Sequence, residues 1–245
     1  MRNTLALFFA ALTLGTVSFT SAADLPVALC EFEARCASRH SGVQDLTIVT
    51  DFIIHSPDGD VPSVHTIRQK GGKIRMDVSP QGESTNSTRP LEFVGISDDN
   101  MTWTLNRSGG KHQRQGSARN QQDPNFVCWL FTPENTKLGG EEMLRGRDCR
   151  VIDVQISSTT HRLWLDKEMQ VVLQHEEVQQ SGAVTRWEAS NFHTVTGDLK
   201  IPQKTDMYIG DRLMATVLVQ SVTFNTGLSD DLFDPGKMSL DPVAP

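Results

Sequence analysis

The chain has 245 residues and a formal net charge of −7 at pH 7, and 38% of its residues are hydrophobic. A mildly acidic charge dispersed along the sequence suits a soluble protein and argues against nucleic-acid binding. Beyond residue 23 no apolar stretch is long enough to cross a membrane as a helix, and the remaining length fits a single β domain.

The first 23 residues have the order of charge and hydropathy that signal peptidase recognises. Arg2 is followed by an uncharged apolar run over 5–19 and then by the small residues Ser21-Ala22-Ala23. A retained membrane anchor is the alternative, but the run is short for a bilayer and no stop-transfer flank follows it. Residues 1–23 are therefore predicted to be a cleaved signal peptide, which places the mature protein outside the cytoplasm. Cys30 comes too late in the sequence for a lipid anchor.

Four cysteines follow this segment, at Cys30, Cys36, Cys128 and Cys149. An even number of cysteines in an exported chain predicts structural disulfides, and the sequence leaves all three pairings open. The spacings are not those of a CxxC redox motif, and none of the seven histidines lies at ligand spacing from a cysteine. The cysteines therefore predict neither a redox centre nor a metal site.

Residues 24–40 are predicted to form an N-terminal helix. Asp24 can act as its N-cap, Pro26 fits its first turn, and apolar residues then recur at helical spacing. From residue 43 onward the pattern changes to β-branched and aromatic residues, with Gly, Asn, Asp and Ser at the turns. The segment 46–54 is the first predicted strand.

Two hairpins are predicted next, the first around Gly71-Gly72 and the second around Asp98-Asp99-Asn100. The polar, Gly- and Gln-rich stretch over 107–122 is predicted to be a mobile loop. A short apolar helix over 125–131 follows. Strands resume at 142 and continue to residue 224, each bounded by turn residues.

This order predicts a mainly β chain of about ten or eleven antiparallel strands. No repeat period and no linker divides it, so residues 24–234 are predicted to form one domain. The Pro- and Asp-rich end over 235–245 is predicted to be a disordered tail.

Several predicted strands carry apolar residues on both faces, whereas a sheet with one face in water should alternate. Two architectures explain this pattern. One is a curved sheet wrapped around the short helices, leaving an apolar cleft, and the other is a two-sheet sandwich. The strands concerned contain Ile48-Val49, Phe52-Ile53-Ile54, Leu163-Trp164-Leu165, Val171-Val172-Leu173 and Val217-Leu218-Val219.

The sequence contains no motif of a nucleophile elbow, a zinc protease, a phosphate loop or a dinucleotide site. Adjacent carboxylates such as Glu176-Glu177 point to opposite faces of a strand and cannot flank one bond. His112, His161 and His175 have no evident partner in the sequence. We therefore predict no catalytic residue, no cofactor and no metal, and a protein that is not an enzyme.

The four tryptophans lie in four different predicted elements, at Trp103, Trp129, Trp164 and Trp187. Each could be an ordinary core residue or could line a cavity for a hydrophobic ligand. The sequence leaves this choice open for each of them.

The order of several short motifs resembles that of the LolA-type lipoprotein carriers and their superfamily of outer-membrane lipoprotein-sorting proteins. GKIRMD at 72–77 resembles the carrier strand with an apolar-Arg-aromatic step, and ISDDNMTWTL at 96–105 is similar to the carrier hairpin. The resemblance covers most of residues 40–234. Further matching steps lie at 146–151, 163–166, 190–192, 201–202 and 228–233.

The sequence also departs from the carrier pattern. Gly71-Gly72 replaces the proline that usually precedes this strand, Met76 stands where an aromatic is common, and the best-known carriers lack the four cysteines. The chain is therefore identified as a superfamily member rather than as the housekeeping carrier itself.

The resemblance implies an open antiparallel half-barrel wrapped around short helices, with an N-terminal helix. It also implies a monomeric, non-enzymatic periplasmic carrier that binds acyl chains of lipoproteins or lipids in an apolar cleft and delivers them towards the outer membrane. The alternative is a sensor or regulator that uses the same fold to bind an inner- or outer-membrane protein. Arg75 matches a carrier arginine that latches the closing helices through their backbone. The expected cleft residues are Phe52, Ile54, Trp103, Trp129, Phe131, Trp164 and Trp187.

Overall fold

The computed structural model describes residues 42–81, 92–98, 101–106, 110–115, 135–197 and 199–240. The predictions of a signal peptide, of an N-terminal helix at 24–40 and of a helix at 125–131 lie outside these residues. Within them, no helix has the length and hydropathy needed to cross a membrane.

The described chain is almost entirely β-strand. Its thirteen strands form one open antiparallel sheet in the order β6-β5-β4-β3-β2-β1-β13-β12-β11-β10-β9-β8-β7. Nearly every strand therefore pairs with its neighbour in sequence, as short turns between antiparallel strands require. The strands are β1 (Asp45–Ser56), β2 (Gly59–Lys70), β3 (Lys73–Pro80), β4 (Phe93–Ser97), β5 (Met101–Asn106), β6 (Gly110–Gln115), β7 (Thr136–Leu144), β8 (Arg147–Ile156), β9 (Thr159–Asp166), β10 (Val172–Gln179), β11 (Val184–Thr196), β12 (Leu199–Ile209) and β13 (Arg212–Phe224).

Residue contacts divide the chain into two compact units. Among described residues, the first unit contains β1 to β6 and the chain from 219 onward, and the second contains β7 to β12 and the start of β13 up to 218. Two short 3-10 helices, Asp230–Phe233 and Pro235–Lys237, follow β13 in the first unit. Ser229 caps the first of them, because its hydroxyl accepts a hydrogen bond from the Asp231 amide at 3.3 Å.

The turns explain why the hairpins form where the sequence predicts them. The β2–β3 turn at Gly71-Gly72 has Gly71 at a φ of +56°, a conformation that glycine adopts without strain. The β4–β5 hairpin around residue 98 is likewise present, and Asp98 accepts a hydrogen bond from the Met101 amide at 2.8 Å. Both predicted hairpins are confirmed.

Three predictions about the architecture need correction. The described residues form thirteen strands rather than ten or eleven; all thirteen belong to one open sheet, as the predicted half-barrel requires and the alternative two-sheet sandwich does not. The stretch predicted to be a mobile loop over 107–122 contains β6, which pairs with β5 from Gly110 to Gln115. Pro235–Lys237, where we expected the disordered tail to begin, form the second 3-10 helix.

Candidate functional site

One face of the first unit is predominantly apolar. Leu46, Ile48 and Phe52 on β1 are buried. They point to the same side of the sheet, because alternate residues of a strand share a face. The strand register extends this row across the sheet, with Ile48 opposite Ile67 on β2 and Ile67 opposite Met76 on β3. We call these side chains the first-unit apolar face: Leu46, Ile48, Phe52, Ile54, Val61, Ile67, Ile74, Met76, Val78 and Phe93.

Two polar side chains within this face, His65 and Ser63, contact each other. His65 stacks on Phe52 with ring centroids 4.6 Å apart, and its Nε2 lies 3.0 Å from the Ser63 hydroxyl oxygen. The same hydroxyl donates to the Phe52 carbonyl oxygen at 3.2 Å. Burial lowers the pKa of His65 to about 4, so the ring is neutral at pH 7. The apolar face therefore carries no charge from this residue at neutral pH.

The opposite face of the same strands carries charged and aromatic residues. Arg75 lies opposite Ile96 on β4, and Ile96 lies opposite Trp103 on β5. The Arg75 guanidinium, whose side chain is only 3% exposed, donates to both carboxylate oxygens of Asp77 at 2.7 to 3.0 Å. Arg68 donates to the same carboxylate at 2.6 Å. Two cations thus share one anion, and Arg75 has a further donor free to bind elsewhere.

That donor binds the segment of the chain that follows β13. Arg75 Nη1 donates to the Leu232 carbonyl oxygen at 3.1 Å. On either side, Lys70 donates to the Leu228 carbonyl oxygen at 2.7 Å, and Lys111 donates to the Pro235 carbonyl oxygen. We call residues 226–237 the C-terminal strap, because three side chains from β2, β3 and β6 bind carbonyl groups spaced along it.

Asp45 fixes the start of the strap. Its carboxylate accepts hydrogen bonds from the backbone amides of Thr226, Gly227 and Leu228 at 2.8 to 3.1 Å. Burial alone would raise the pKa of this carboxyl, but the hydrogen bonds outweigh burial and hold the pKa below its usual value.

A small pocket lies beneath the strap. Its volume is about 280 Å³, and its lining combines apolar and charged side chains. Phe233 of the strap is buried at 3% exposure, and Ile96 and Trp103 belong to the sheet beneath it. The lining residues are Lys73, Ile96, Ser97, Asp98, Trp103, Asp230, Phe233, Asp234 and Pro235.

The second unit separates its tryptophans onto opposite faces. Trp164 lies opposite Val151 and packs in a buried cluster with Cys149 and Leu173. Its indole N–H donates to a Glu142 carboxylate oxygen at 2.9 Å. Cys149 is fully buried, and burial is the main cause of the raised pKa of its thiol. It is a free cysteine in the structure, and the other three lie outside the described residues.

Trp187 lies on the other face of the second unit, opposite His175. The two rings stack with centroids 5.0 Å apart, and His175 also stacks on His161. His161 Nδ1 and His175 Nε2 are 3.0 Å apart, and Glu177 lies beside them. Burial lowers the pKa of His175 to about 3, with His161 as a second cause. Of the described residues, this group has ligand atoms that could hold a metal ion.

The structure does not bring the expected cleft residues together on one face. Phe52 and Ile54 share the first-unit apolar face, whereas Trp103 lies on the strap side. In the second unit Trp164 and Trp187 point to opposite faces. Trp129 and Phe131 lie outside the described residues.

Sequence reasoning missed the histidine group. His161 and His175 have no evident partner in the sequence, although the pattern His175-x-Glu177 already places two ligating side chains on one face of a strand. What the sequence did not supply was the register that puts His161 opposite Glu177.

No protein-family model matches the sequence. No curated protein matches it either. Solved structures do match the fold. A domain assigned as an outer membrane lipoprotein-sorting protein, from Vibrio parahaemolyticus, is 15% identical with a TM-score of 0.64, over 86% of this chain and 96% of that one.

Two further structures agree. A DUF1329 family protein from Desulfovibrio piger is 12% identical with a TM-score of 0.65, over 85% of this chain and 96% of that one. A LolA superfamily protein from Nitrosomonas europaea is 13% identical with a TM-score of 0.59, over 79% of this chain and 91% of that one. At such identities the likeness establishes the fold alone. The chain has the fold of LolA superfamily and outer-membrane lipoprotein-sorting proteins, as its motif order predicted.

Proposed function

We propose that the protein is a non-enzymatic periplasmic carrier that holds acyl chains of a lipoprotein or lipid against the first-unit apolar face and delivers them towards the outer membrane. The observation that carries this proposal is the face itself. Ten apolar side chains from four adjacent strands point to one side of the sheet, and the buried histidine among them is neutral at pH 7.

The chemistry of an acyl chain explains why such a face is needed. Water penalises an exposed acyl chain by ~0.8 kcal/mol for each CH₂ group. The apolar row on β1 runs from Leu46 to Ile54, which at the rise of an extended strand is roughly 26 Å. One leaflet of a bilayer is about 15 Å of hydrocarbon. The row is therefore long enough to accompany an acyl chain along its whole length.

Cargo exchange requires an opening step. Most side chains of the apolar face are already removed from water, so an acyl chain can reach them only by displacing what shields them. When the shielding returns to the apolar face, the acyl chain is released. We assign Phe52 and Ile54 to this site. Trp129 and Phe131 remain expected contributors from the chain outside the described residues.

The other expected residues take different roles in this proposal. Trp164 stabilises the core of the second unit, and Trp103 packs near the strap. Arg75 was expected to latch a lid over the cleft, and we now assign it to holding the C-terminal strap, on the side of the sheet that faces away from Phe52.

Adjacent residues of β1 provide a matched pair for testing the site. Ile53 and Ile54 are both half-buried but point to opposite faces. Ile54→Asn places an amide on the apolar face and removes one apolar side chain from it. We expect it to weaken binding of a fluorescent fatty-acid analogue about tenfold, because one buried aliphatic side chain contributes roughly 1.5–3 kcal/mol.

Ile53→Asn is the control and should bind the analogue like the unmodified protein, with thermal unfolding confirming that both variants fold. Equal weakening by the two substitutions, or none by either, would exclude the apolar face as the acyl site. A protein that binds no fatty acid but retains a membrane protein during purification would instead act as a regulator.

A further inference from the structure

The strand register gathers two imidazoles and a carboxylate on one face of the second unit. His175 and Glu177 are two residues apart on β10 and therefore point the same way. His161 on β9 lies directly opposite Glu177. Three side chains of metal-ligating chemistry thus converge from two adjacent strands whose backbone geometry is fixed by their hydrogen bonds.

The distances within this group fit the binding of one metal ion by all three side chains. His161 Nδ1 lies 3.0 Å from His175 Nε2 and 3.6 Å from a Glu177 carboxylate oxygen. All three ligand atoms lie within 4.8 Å of one another. Two nitrogens bound to one tetrahedral Zn²⁺ at its usual bond lengths are roughly 3.3 Å apart, and a nitrogen and an oxygen are roughly 3.4 Å apart. For these two pairs the ligand atoms need to move by only a few tenths of an ångström, and the third pair, His175 Nε2 and the Glu177 carboxylate oxygen, lies within 4.8 Å.

The surroundings hold the ligands in place and leave a route for entry. His175 is buried at 5% exposure and stacks on Trp187, which restricts the orientation of its ring. The Glu177 side chain is 31% exposed and the His161 side chain is 12% exposed. One side of the group is therefore rigid and the other reaches solvent, as an ion-binding site requires.

We propose that His161 Nδ1, His175 Nε2 and the Glu177 carboxylate bind one divalent first-row transition ion, of which Zn²⁺ is the best match. Imidazole and carboxylate ligands suit this class of ion, whereas Ca²⁺ and Mg²⁺ prefer all-oxygen sites. Three protein ligands leave the fourth tetrahedral position to water or to a group of a bound partner. The site is independent of acyl binding at the first-unit apolar face.

The test uses the full chain, purified without an oligohistidine tag and stripped with a chelator. Calorimetric titration with ZnCl₂ is expected to show saturable binding of one ion per chain. Titration with Co²⁺ is expected to give the visible absorption of a four-coordinate nitrogen and oxygen site. Glu177→Gln keeps the size of the side chain and is expected to weaken Zn²⁺ binding at least tenfold, since loss of even an outer-shell partner costs about 10–100-fold.

His161→Asn and His175→Asn are expected to abolish binding of the ion. His193→Ala is the matched control, because His193 is an exposed histidine on β11 of the same unit, and it should bind like the unmodified protein. Circular dichroism establishes whether each variant is folded. If the variant at the buried His175 does not fold, Glu177→Gln, at a partly exposed position, still tests the site. Absence of saturable binding, or unchanged affinity in Glu177→Gln and His161→Asn, would overturn the proposal and leave a hydrogen-bonded histidine pair.

Discussion

At the scale of single residues, the most informative side chain is a histidine inside an apolar face. His65 lies opposite Thr50 on β1 and Val78 on β3, neither of which ionises. Its polar contact is the Ser63 hydroxyl and its ring stacks on Phe52. Burial favours the neutral ring, which lowers the pKa from 6.5 to about 4.

This shift predicts a specific dependence of stability on pH. Above pH 6.5 His65 is neutral in both the folded and the unfolded chain, so its contribution to stability is fully present there. As the pH falls from 6.5 towards 4 the unfolded chain binds the proton first, and the contribution is lost. At pH 5 the loss is about 2 kcal/mol, since each pKa unit corresponds to about 1.4 kcal/mol.

Urea unfolding at pH 7 and pH 5 measures this loss when the protein is compared with His65→Gln. We expect the free energy of unfolding to fall about 2 kcal/mol further in the unmodified protein than in the variant. His193→Gln, at an exposed position, is the control for removal of an imidazole as such. Identical pH dependence in the protein and in His65→Gln would show that His65 titrates normally.

Residue-level chemistry was the part of the site that the sequence predicted least well. The four tryptophans were visible as candidates, but their faces depend on registers and on irregularities such as the β-bulge between Val172 and Gln174. His161 and His175 are 14 residues apart and meet only through the β9–β10 pairing. Alternation within one strand is readable from the sequence, whereas contact between strands is not.

At the scale of elements, the C-terminal strap is held by side chains rather than by strand pairing. Arg75 is central to it, because one guanidinium binds the Asp77 carboxylate and the Leu232 carbonyl at the same time. The planar fork of arginine makes this possible, and the single ammonium of lysine cannot reproduce it.

Arg75→Lys is therefore expected to loosen the strap while the protein remains folded. Loss of a hydrogen bond from a charged donor costs about 1.5–3 kcal/mol, so amide exchange in the strap should become at least about tenfold faster. The reporting amides are those of Leu232, Asp234 and Lys237, which donate within the strap. Hydrogen–deuterium exchange with mass spectrometry measures them.

Arg212→Lys provides the control, because Arg212 is exposed at the start of β13 and should leave strap exchange unchanged. Faster exchange in the strands β1 to β5 to the same degree would mean that Arg75 supports the whole unit. Unchanged exchange in the strap would mean that Asp45, Lys70 and Lys111 hold it without Arg75.

The strands that the sequence missed are also explained at this scale. β6 and β7 lie at the two ends of the strand order. Residues Gly110 to Gln113 of β6 are exposed, and all of β7 between Lys137 and Met143 is exposed. A strand with both faces in water has no reason to alternate. Hydropathy therefore predicted a loop for β6 and only 142–144 of β7.

At the scale of the whole molecule, the fold was largely predictable and the ligand was not. Turn chemistry and β-branched runs predicted the hairpins from β1 to β5 and the strands from β8 to β13, and the motif order predicted the fold that the solved structures share. Apolar residues on both faces are explained for the first unit, where the strap covers only one of the two faces. In the first unit, one face carries the apolar row and the other carries the strap.

The claim that an acyl chain occupies the first-unit apolar face is tested most directly by native mass spectrometry of the protein purified, without detergent, from the cells that produce it. We expect a population whose mass exceeds that of the polypeptide by one acyl-bearing molecule, released on organic extraction, and diminished in Ile54→Asn but not in Ile53→Asn. A single species at the polypeptide mass, in protein that also fails to take up added lipid, would contradict it.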